Sequence, residues 1–367
     1  MAIVCPYCLS NISSSKIRRV CSICGSPMPE DASTKMQLRL GKIPKCKESG
    51  CLGLYSKLEC DIPGCGHELP GDIMQYSKYM RFALVSHSGG GKTNFITTML
   101  EELKKTRALQ FHTSHMNRET LEYHSDNVKQ LYDKRKPILP TARGQIYPLQ
   151  WKIQDIRRRT RNTTPCYSMT IFDGAGEDLS DVDPVVCRYL TGSKMIMLLL
   201  DPTHLYGVRS QMTREEIIGA GGDPDEYISR TQTEDFVQGL IDYIKTSTGI
   251  PVKRRVKLPV AVVFGKIDTV ERLLGYARVL QPSGHSARGA FVESEAQAIH
   301  DEIRAFMDAC GDNLNGMFDA NFTTWKYFGV SSLGAMPKNG QLQEPQPLRI
   351  LDPLMWNFSM EGIVGKE

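Results

Sequence analysis

From about residue 80 onward the chain is written as short apolar runs parted by amphipathic stretches. Phe82–Val85 is one such run, and Asn94–Lys105 after it spaces its apolar positions three and four apart. That pair predicts a strand, a polar loop and a helix. Tyr167–Phe172, Lys194–Leu200, Pro259–Phe264 and Tyr327–Val330 repeat the short run, with helical stretches at Gln232–Lys245 and Val292–Cys310. Apolar runs of this kind belong to strands covered on both faces, as in parallel sheets. Gln145–Ile153 reads as a further strand, and Arg157–Thr164 as a hairpin tip between Trp151–Ile156 and Tyr167–Phe172. His112, His115 and His124 are read in a helical stretch whose spacing offers no open metal site. The expected fold class is α/β, a doubly wound, mainly parallel sheet with its site along the carboxyl ends of the strands.

The first 75 residues lack this pattern. Gly25, Pro27, Pro29, Gly41 and Pro44 interrupt them, and few apolar residues remain to build a core. The expected organisation is a small module over residues 1–75 and one large domain over 76–367, with insertions near 202–231 and 274–290. The first insertion is expected to be a lid or a partner-contact surface.

Eight of the eleven cysteines fall in the small module: Cys5, Cys8, Cys21, Cys24, Cys46, Cys51, Cys60 and Cys65. Cys5-x2-Cys8 and Cys21-x2-Cys24 are knuckles whose tight turns aim two sulfurs at one ion. Cys46-x4-Cys51 and Cys60-x4-Cys65 repeat the device more widely. The reading is two zinc ribbons in tandem, the first two knuckles sharing one structural Zn²⁺ and the last two another. In the second site His67 is a candidate to replace one sulfur. Metal would then supply the folding energy that so small a core cannot. Disulfides and iron–sulfur ligation are the lesser readings.

Composition narrows the class. With 367 residues, 41% hydrophobic and 23% charged positions and a mean hydropathy of −0.30, disordered and collagen-like chains are excluded. No uncharged apolar run reaches 18 residues and no apolar leader follows Met1, so no membrane span is expected and the expected compartment is the cytoplasm. A net charge of +4 does not demand a nucleic-acid partner. Residues 1–75 hold nine Lys+Arg and seven Asp+Glu, and eight thiolates with two Zn²⁺ would leave the folded module at about −2. Protein contact is therefore favoured over phosphate backbone for the ribbons. The basic clusters Arg157–Arg161 and Lys253–Lys257 read first as solvated turns.

The chemistry sits in the loops. SHSGGGKT (Ser86–Thr93) lies between the first strand and its helix, the setting of a phosphate-binding loop. There Ser88, Gly89, Gly90 and Gly91 would turn backbone N–H groups toward phosphates at a helix N-terminus. Lys92 would reach the β- and γ-phosphates, and the Thr93 hydroxyl would bind Mg²⁺. The usual first glycine of the motif is Ser86. Asp173, ending the Tyr167 strand, would help hold the Mg²⁺ shell, and Gly176 would offer its N–H to the γ-phosphate.

In order along the chain, SHSGGGKT, DGAG (Asp173–Gly176), GKID (Gly265–Asp268) and SSLG (Ser331–Gly334) resemble the P-loop, DxxG, NKxD and SAK elements of TRAFAC-type P-loop GTPases. With zinc ribbons in front, DGAGED (Asp173–Asp178) and the closing Asp352–Trp356, the chain is more narrowly similar to the double-GTPase families of bacterial conflict systems. The resemblance implies a GTP/GDP-binding switch and hydrolase, slow or partner-stimulated, with protein effectors and a role in antiviral defence. The class allows a dimer across the nucleotide.

The resemblance also implies roles by position. Asp268 would take guanine N1–H and N2–H₂ together, a pair of donors adenine lacks, and Lys266 would lie over the base. Ser332 and Leu333 would close the base pocket. Glu177 stands where related switches carry the glutamine that orients the attacking water, and Thr141 is the switch I threonine, ahead of Thr163 and Thr164. Gly265 replaces the asparagine that ties the base loop to the phosphate loop. These departures keep two rivals in view, an ATPase and a non-hydrolysing scaffold whose ribbons bind protein or nucleic acid.

Overall fold

The computed structural model describes residues 3–13, 16–87, 90–136, 138, 148–173, 184–334 and 342–367, with only the backbone at Asp173 and 184–187. The chain opens with a two-stranded antiparallel ribbon, β1 (Ile3–Val4) and β2 (Asn11–Ile12). A second small sheet joins β3 (Ile17–Val20), β4 (Lys57–Cys60) and β5 (Glu68–Leu69), with helix α1 (Ala32–Arg39) between β3 and β4. Asp31 caps α1 by accepting from Thr34 N.

Seven strands form the large sheet: β6 (Lys78–Ser86), β7 (Phe111–His115), β8 (Pro148–Asp155), β9 (Cys166–Asp173), β10 (Met195–Leu200), β11 (Val260–Phe264) and β12 (Trp325–Gly329). Their spatial order is β12-β11-β10-β6-β9-β8-β7. The five apolar runs of the sequence are the five parallel strands, and β8 and β7 extend the sheet antiparallel. The hairpin between β8 and β9 is where the sequence puts it.

Each parallel strand is buried on both faces because alternate residues enter different cores. Met80, Phe82 and Leu84 of β6 face one core while Ala83 and Val85 face the other. Met195, Met197 and Leu199 of β10 are split from Ile196, Leu198 and Leu200 in the same way. One core is covered by α2 (Lys92–Lys105) and the closing helix, Asp352–Met360. The other is covered by the helices Gln232–Thr248, Glu293–Cys310 and Leu314–Asn321. This is the doubly wound sheet expected from the runs.

Two local readings are corrected. His112 and His115 lie on strand β7, and only His124 is helical, in α3 (Arg118–Val128). The polar, alternating β7 is an edge strand, which a search for apolar runs passes over. Arg157 is not a solvated tip residue: it bonds Asp155, the carbonyls of Gly289 and Ile363, and lies over Phe111. The insertion after β10 is a packed segment of short helices with Leu205 and Val208 in the core and a capping box at Thr213 and Glu216.

Candidate functional site

Five parallel strands place five loops on one edge, four of them carrying the motifs read from the sequence. In sequence β6 is followed on one side by β9, and the later strands β10, β11 and β12 continue on the other. The loop after β6 therefore stands at the topological switch point, where open α/β sheets bind ligands beyond the strand ends.

That loop is the glycine loop. Gly91 has φ +79°, a left-handed turn that feeds directly into α2. At Gly90 a Cβ would stand 2.9 Å from Ser86 Oγ and 3.0 Å from His87 O, so a side chain there would displace the loop. Ser86, in place of the usual glycine, is fully buried; its hydroxyl donates to His87 O at 2.8 Å and accepts from Lys92 Nζ at 3.3 Å. The departure thus gives the loop an internal brace. His87 packs its ring 3.8 Å from Phe236, and burial pushes its pKa down to about 4, with His204 and Lys92 adding to the fall. Thr93 follows Lys92 in the first turn of α2. Ser88 and Gly89 lie outside the described residues.

Asp173 ends β9 opposite Leu84 in register, beside the strand that delivers the loop. Gly176, Glu177 and Thr141 lie outside the described residues.

The GKID loop follows β11. Gly265 N donates to Leu200 O, and a Cβ at this position would come 3.2 Å from Leu199 Cδ1. An asparagine would need Leu199 to yield. The loop is tethered elsewhere, to a residue the sequence reading passed over: Lys266 Nζ donates to Asp201 Oδ2 at 2.6 Å, at the end of β10 rather than on the phosphate loop. Asp201 ends β10, almost wholly buried, and its Oδ1 accepts from Thr203 N and Thr203 Oγ1. Burial alone would raise the Asp201 pKa, but the Lys266 charge and the Thr203 bond hold it below the ordinary value. Lys266 adopts φ +50° to make this reach, so its ammonium is turned onto Asp201 and its aliphatic stem is the part left to meet a base. A carboxylate closing an apolar strand was the signal available in the sequence.

Asp268 lies in the turn Ile267–Val270, and its Oδ1 is buried without a hydrogen-bond partner among the described residues. Ile267 N donates to Val330 O and Val330 N to Phe264 O, which binds this loop to the SSLG loop. Ser331 Oγ accepts from Gly334 N, and Ser332 and Leu333 between them are half-buried. The structure brings Gly90, Gly91, Lys92, Thr93, Asp173, Lys266, Asp268, Ser332 and Leu333 to the same sheet edge.

The cysteines form two four-sulfur clusters, but not the tandem pair expected. Cys5, Cys8, Cys60 and Cys65 make one, and Cys21, Cys24, Cys46 and Cys51 the other. The outer knuckles pair around the inner ones because β3 and β4 are antiparallel neighbours, bringing Ile17 opposite Cys60. Spacing alone carries no sign of that. Closest sulfur separations of 3.6–3.8 Å match the edge of a tetrahedron with Zn–S of about 2.3 Å. Ile23 N and Gly53 N point at Cys21 and Cys51 sulfurs, as donors to thiolates do. A Cβ at Gly53 would strike Cys21 Sγ, so only glycine fits beside that cluster. Both donor sets are complete with four sulfurs and suit a closed, structural Zn²⁺. His67 is no replacement ligand: its ring stacks on Tyr7 and its Nδ1 lies 3.5 Å from Cys65 Sγ. Cys24 is pulled down to about 6 by its bond with Ser26, while burial pushes Cys60 up to about 11.

The first cluster is cemented to the sheet domain. It shares a core with Leu58, Ile73 and Tyr76, against which Met116 and Cys166 pack, and Asn117 bonds the Tyr7 hydroxyl. Leu9, at φ +57°, packs with Phe172 and Tyr189, whose rings stack at 4.0 Å.

No family model matches the chain, and no curated protein matches its sequence. Solved structures similar to it include the S. cerevisiae Ski7 GTPase-like domain bound to GTP, at 11% identity and a TM-score of 0.34 over 79% of this chain and 51% of that one. The chain thus spans about half that structure's length. The Arl6 BBS3 small GTPase from Trypanosoma brucei is 10% identical with a TM-score of 0.27, over 69% and 87%. Sup35 complexed with GDP is 12% identical with a TM-score of 0.23, over 72% and 40%. TM-scores below 0.5 do not establish a shared fold, and the site rests on its own geometry. No helix among the described residues is long and apolar enough to cross a membrane.

Proposed function

We propose that the chain is a GTP-binding switch that hydrolyses GTP slowly with Mg²⁺, and that its cysteine module reads the nucleotide state. The observation that carries this reading is the convergence of the glycine loop, Asp173, GKID and SSLG on one sheet edge around the switch point. The site works by positioning and charge neutralisation. Backbone N–H groups from Ser88 to Gly91 and the Lys92 ammonium would cradle the phosphates. Thr93 and the shell of Asp173 would hold Mg²⁺, which lowers the charge at the transferring phosphoryl group. Gly176 N–H would meet the γ-phosphate, Glu177 would orient water and Thr141 would close over the metal. A carboxylate at 177 adds negative charge beside the phosphate, which favours slow turnover.

Guanine is favoured over adenine by Asp268 Oδ1, buried and without a partner among the described residues. A buried acceptor without a donor is costly, and guanine N1–H and N2–H₂ would satisfy the carboxylate. The Lys266–Asp201 bond supports the same role by fixing the loop from the β10 side.

The readout is supported by Leu9. It packs on Phe172, just before Asp173, and on Tyr189 in the helix Pro184–Gly192, so one module side chain touches the strand that leads into DGAGED and the helix that follows it. Hydrogen exchange over residues 3–12 is expected to differ between GDP-loaded and GTP-analogue-loaded protein, and to stop differing in Leu9→Ala. Identical exchange in the two loaded states would sink the readout. Protein effectors and antiviral defence are what the family resemblance adds to this reading.

A further inference from the structure

The edge of the sheet opposite the nucleotide loops holds a second concavity. There the cysteine module and the starting ends of β6 and β10 leave a cleft of about 250 Å³. Val4 and Asn11 form its module wall, and Lys78, Arg81, Lys194 and Glu361 bring charge to it. Three cations face one carboxylate.

The cations are poorly matched. Lys78 Nζ donates to the backbone carbonyl of Glu361, and Lys194 Nζ stands 3.9 Å from the Glu361 carboxylate. Arg81 has less: its guanidinium makes no hydrogen bond or ion pair among the described residues, and its Nε is buried without a partner. Burial lowers its pKa, and the Glu361 charge only partly opposes that. Nε is a donor that cannot give up its proton, so burying it without an acceptor carries a cost in the empty cleft. An incoming anion removes that penalty.

We propose that this cleft is an anion site for a small phosphate-bearing ligand, separate from the glycine loop. Planar Arg81 is suited to grip two phosphate oxygens, with Lys78 and Lys194 as point charges beside it. A volume of about 250 Å³ with the module along one side suits a compact ligand rather than a duplex backbone. Because Val4 and Asn11 form one side, the site exists only while the module is seated on the sheet. Arg81 is also five residues before Ser86 on β6, so roughly 17 Å of one strand joins the two sites.

The test titrates inorganic pyrophosphate into the zinc-loaded full chain carrying Lys92→Ala, which silences the glycine loop, and follows the heat. Saturable binding is expected, weakened about tenfold or more by Arg81→Gln and again by Lys194→Gln. Arg159→Gln, on the hairpin outside the cleft, is expected to change nothing. Arg81→Gln is checked for folding by thermal unfolding; the Lys194 side chain is 46% exposed, so its variant tests the site independently. No saturable binding in Lys92→Ala overturns the proposal, as does binding indifferent to both cleft variants. An oligonucleotide that binds where pyrophosphate does not overturns it too.

Discussion

The two regions of this molecule hold themselves together by different physics. The sheet domain buries two apolar layers, with Phe82, Phe95, Trp151 and Phe358 fully enclosed on one side and Phe264, Phe318 and Tyr327 on the other. The cysteine module has one small core, and three of that core's buried members are ligand cysteines, Cys5, Cys8 and Cys60. Its outer part has less still: Ile23, Met36, Leu40 and Leu52 are exposed, Leu52 at 92%. A region that leaves leucines in water gains little from apolar burial, so its two sulfur clusters, if they bind Zn²⁺, would supply folding energy that its core does not. The contrast sets a domain with two apolar cores beside a module whose two four-sulfur clusters could hold a metal.

The sharpest way to break this comparison is to remove the metal. A strong chelator is expected to release about two Zn²⁺ per chain, matching the two clusters, and to unfold residues 3–69 while the sheet stays protected. Hydrogen exchange with a metal assay reads both. The nested pairing sharpens it. Cys60→Ser is expected to free Cys5, Cys8 and Cys65 and loosen the seat on the sheet, whereas Cys46→Ser melts only the outer lobe. If Cys60→Ser instead spares the β1–β2 ribbon and melts the segment of Cys46 and Cys51, the tandem pairing stands and the nested one fails.

Within the sheet domain the largest single-residue effect is expected at the base-loop tether. Asp201→Ala removes a hydrogen bond to a charged partner and is expected to cost about 2 kcal/mol, since Lys266 stays partly solvated. Urea unfolding measures it, and a loss under about 0.5 kcal/mol would reduce the tether to an ordinary surface pair.

A smaller effect concerns acid. Burial first, then neighbouring cations, holds His87, His124 and His300 down to about 4, so the folded chain keeps them neutral while the unfolded chain protonates them near 6.5. The unfolded state then binds more protons, and stability falls as pH drops from about 6.5 to 4. None of these histidines belongs to the cysteine module, so the acid slope is expected to persist in metal-stripped protein. A slope that vanishes with the zinc would place the titrating groups in the module.

How much of this was legible in the sequence follows the same division. The apolar runs were sufficient for β6, β9, β10, β11 and β12, because strands covered on both faces announce themselves without partners. Edge strand β7 was missed, since Phe111–His115 is polar and alternating. The phosphate loop could be read because Gly90 and Gly91 are fixed by local needs, a close approach to Ser86 and a positive φ. The Lys266–Asp201 tether could not, because it joins residues 65 positions apart through the strand order. Cysteine pairing failed for the same reason: knuckle spacing reports which sulfurs are neighbours in a turn, and the antiparallel register of β3 with β4 decides which turns meet.

The central claim is that the loops at the switch point bind a guanine nucleotide. Equilibrium binding of GTP and ATP, measured side by side on wild type, Lys92→Ala and Asp268→Ala, tests it most directly. The account predicts tight GTP and weak ATP binding in wild type, loss of both in Lys92→Ala, and loss of the GTP preference in Asp268→Ala. Equal or tighter ATP binding, indifferent to Asp268, would contradict it.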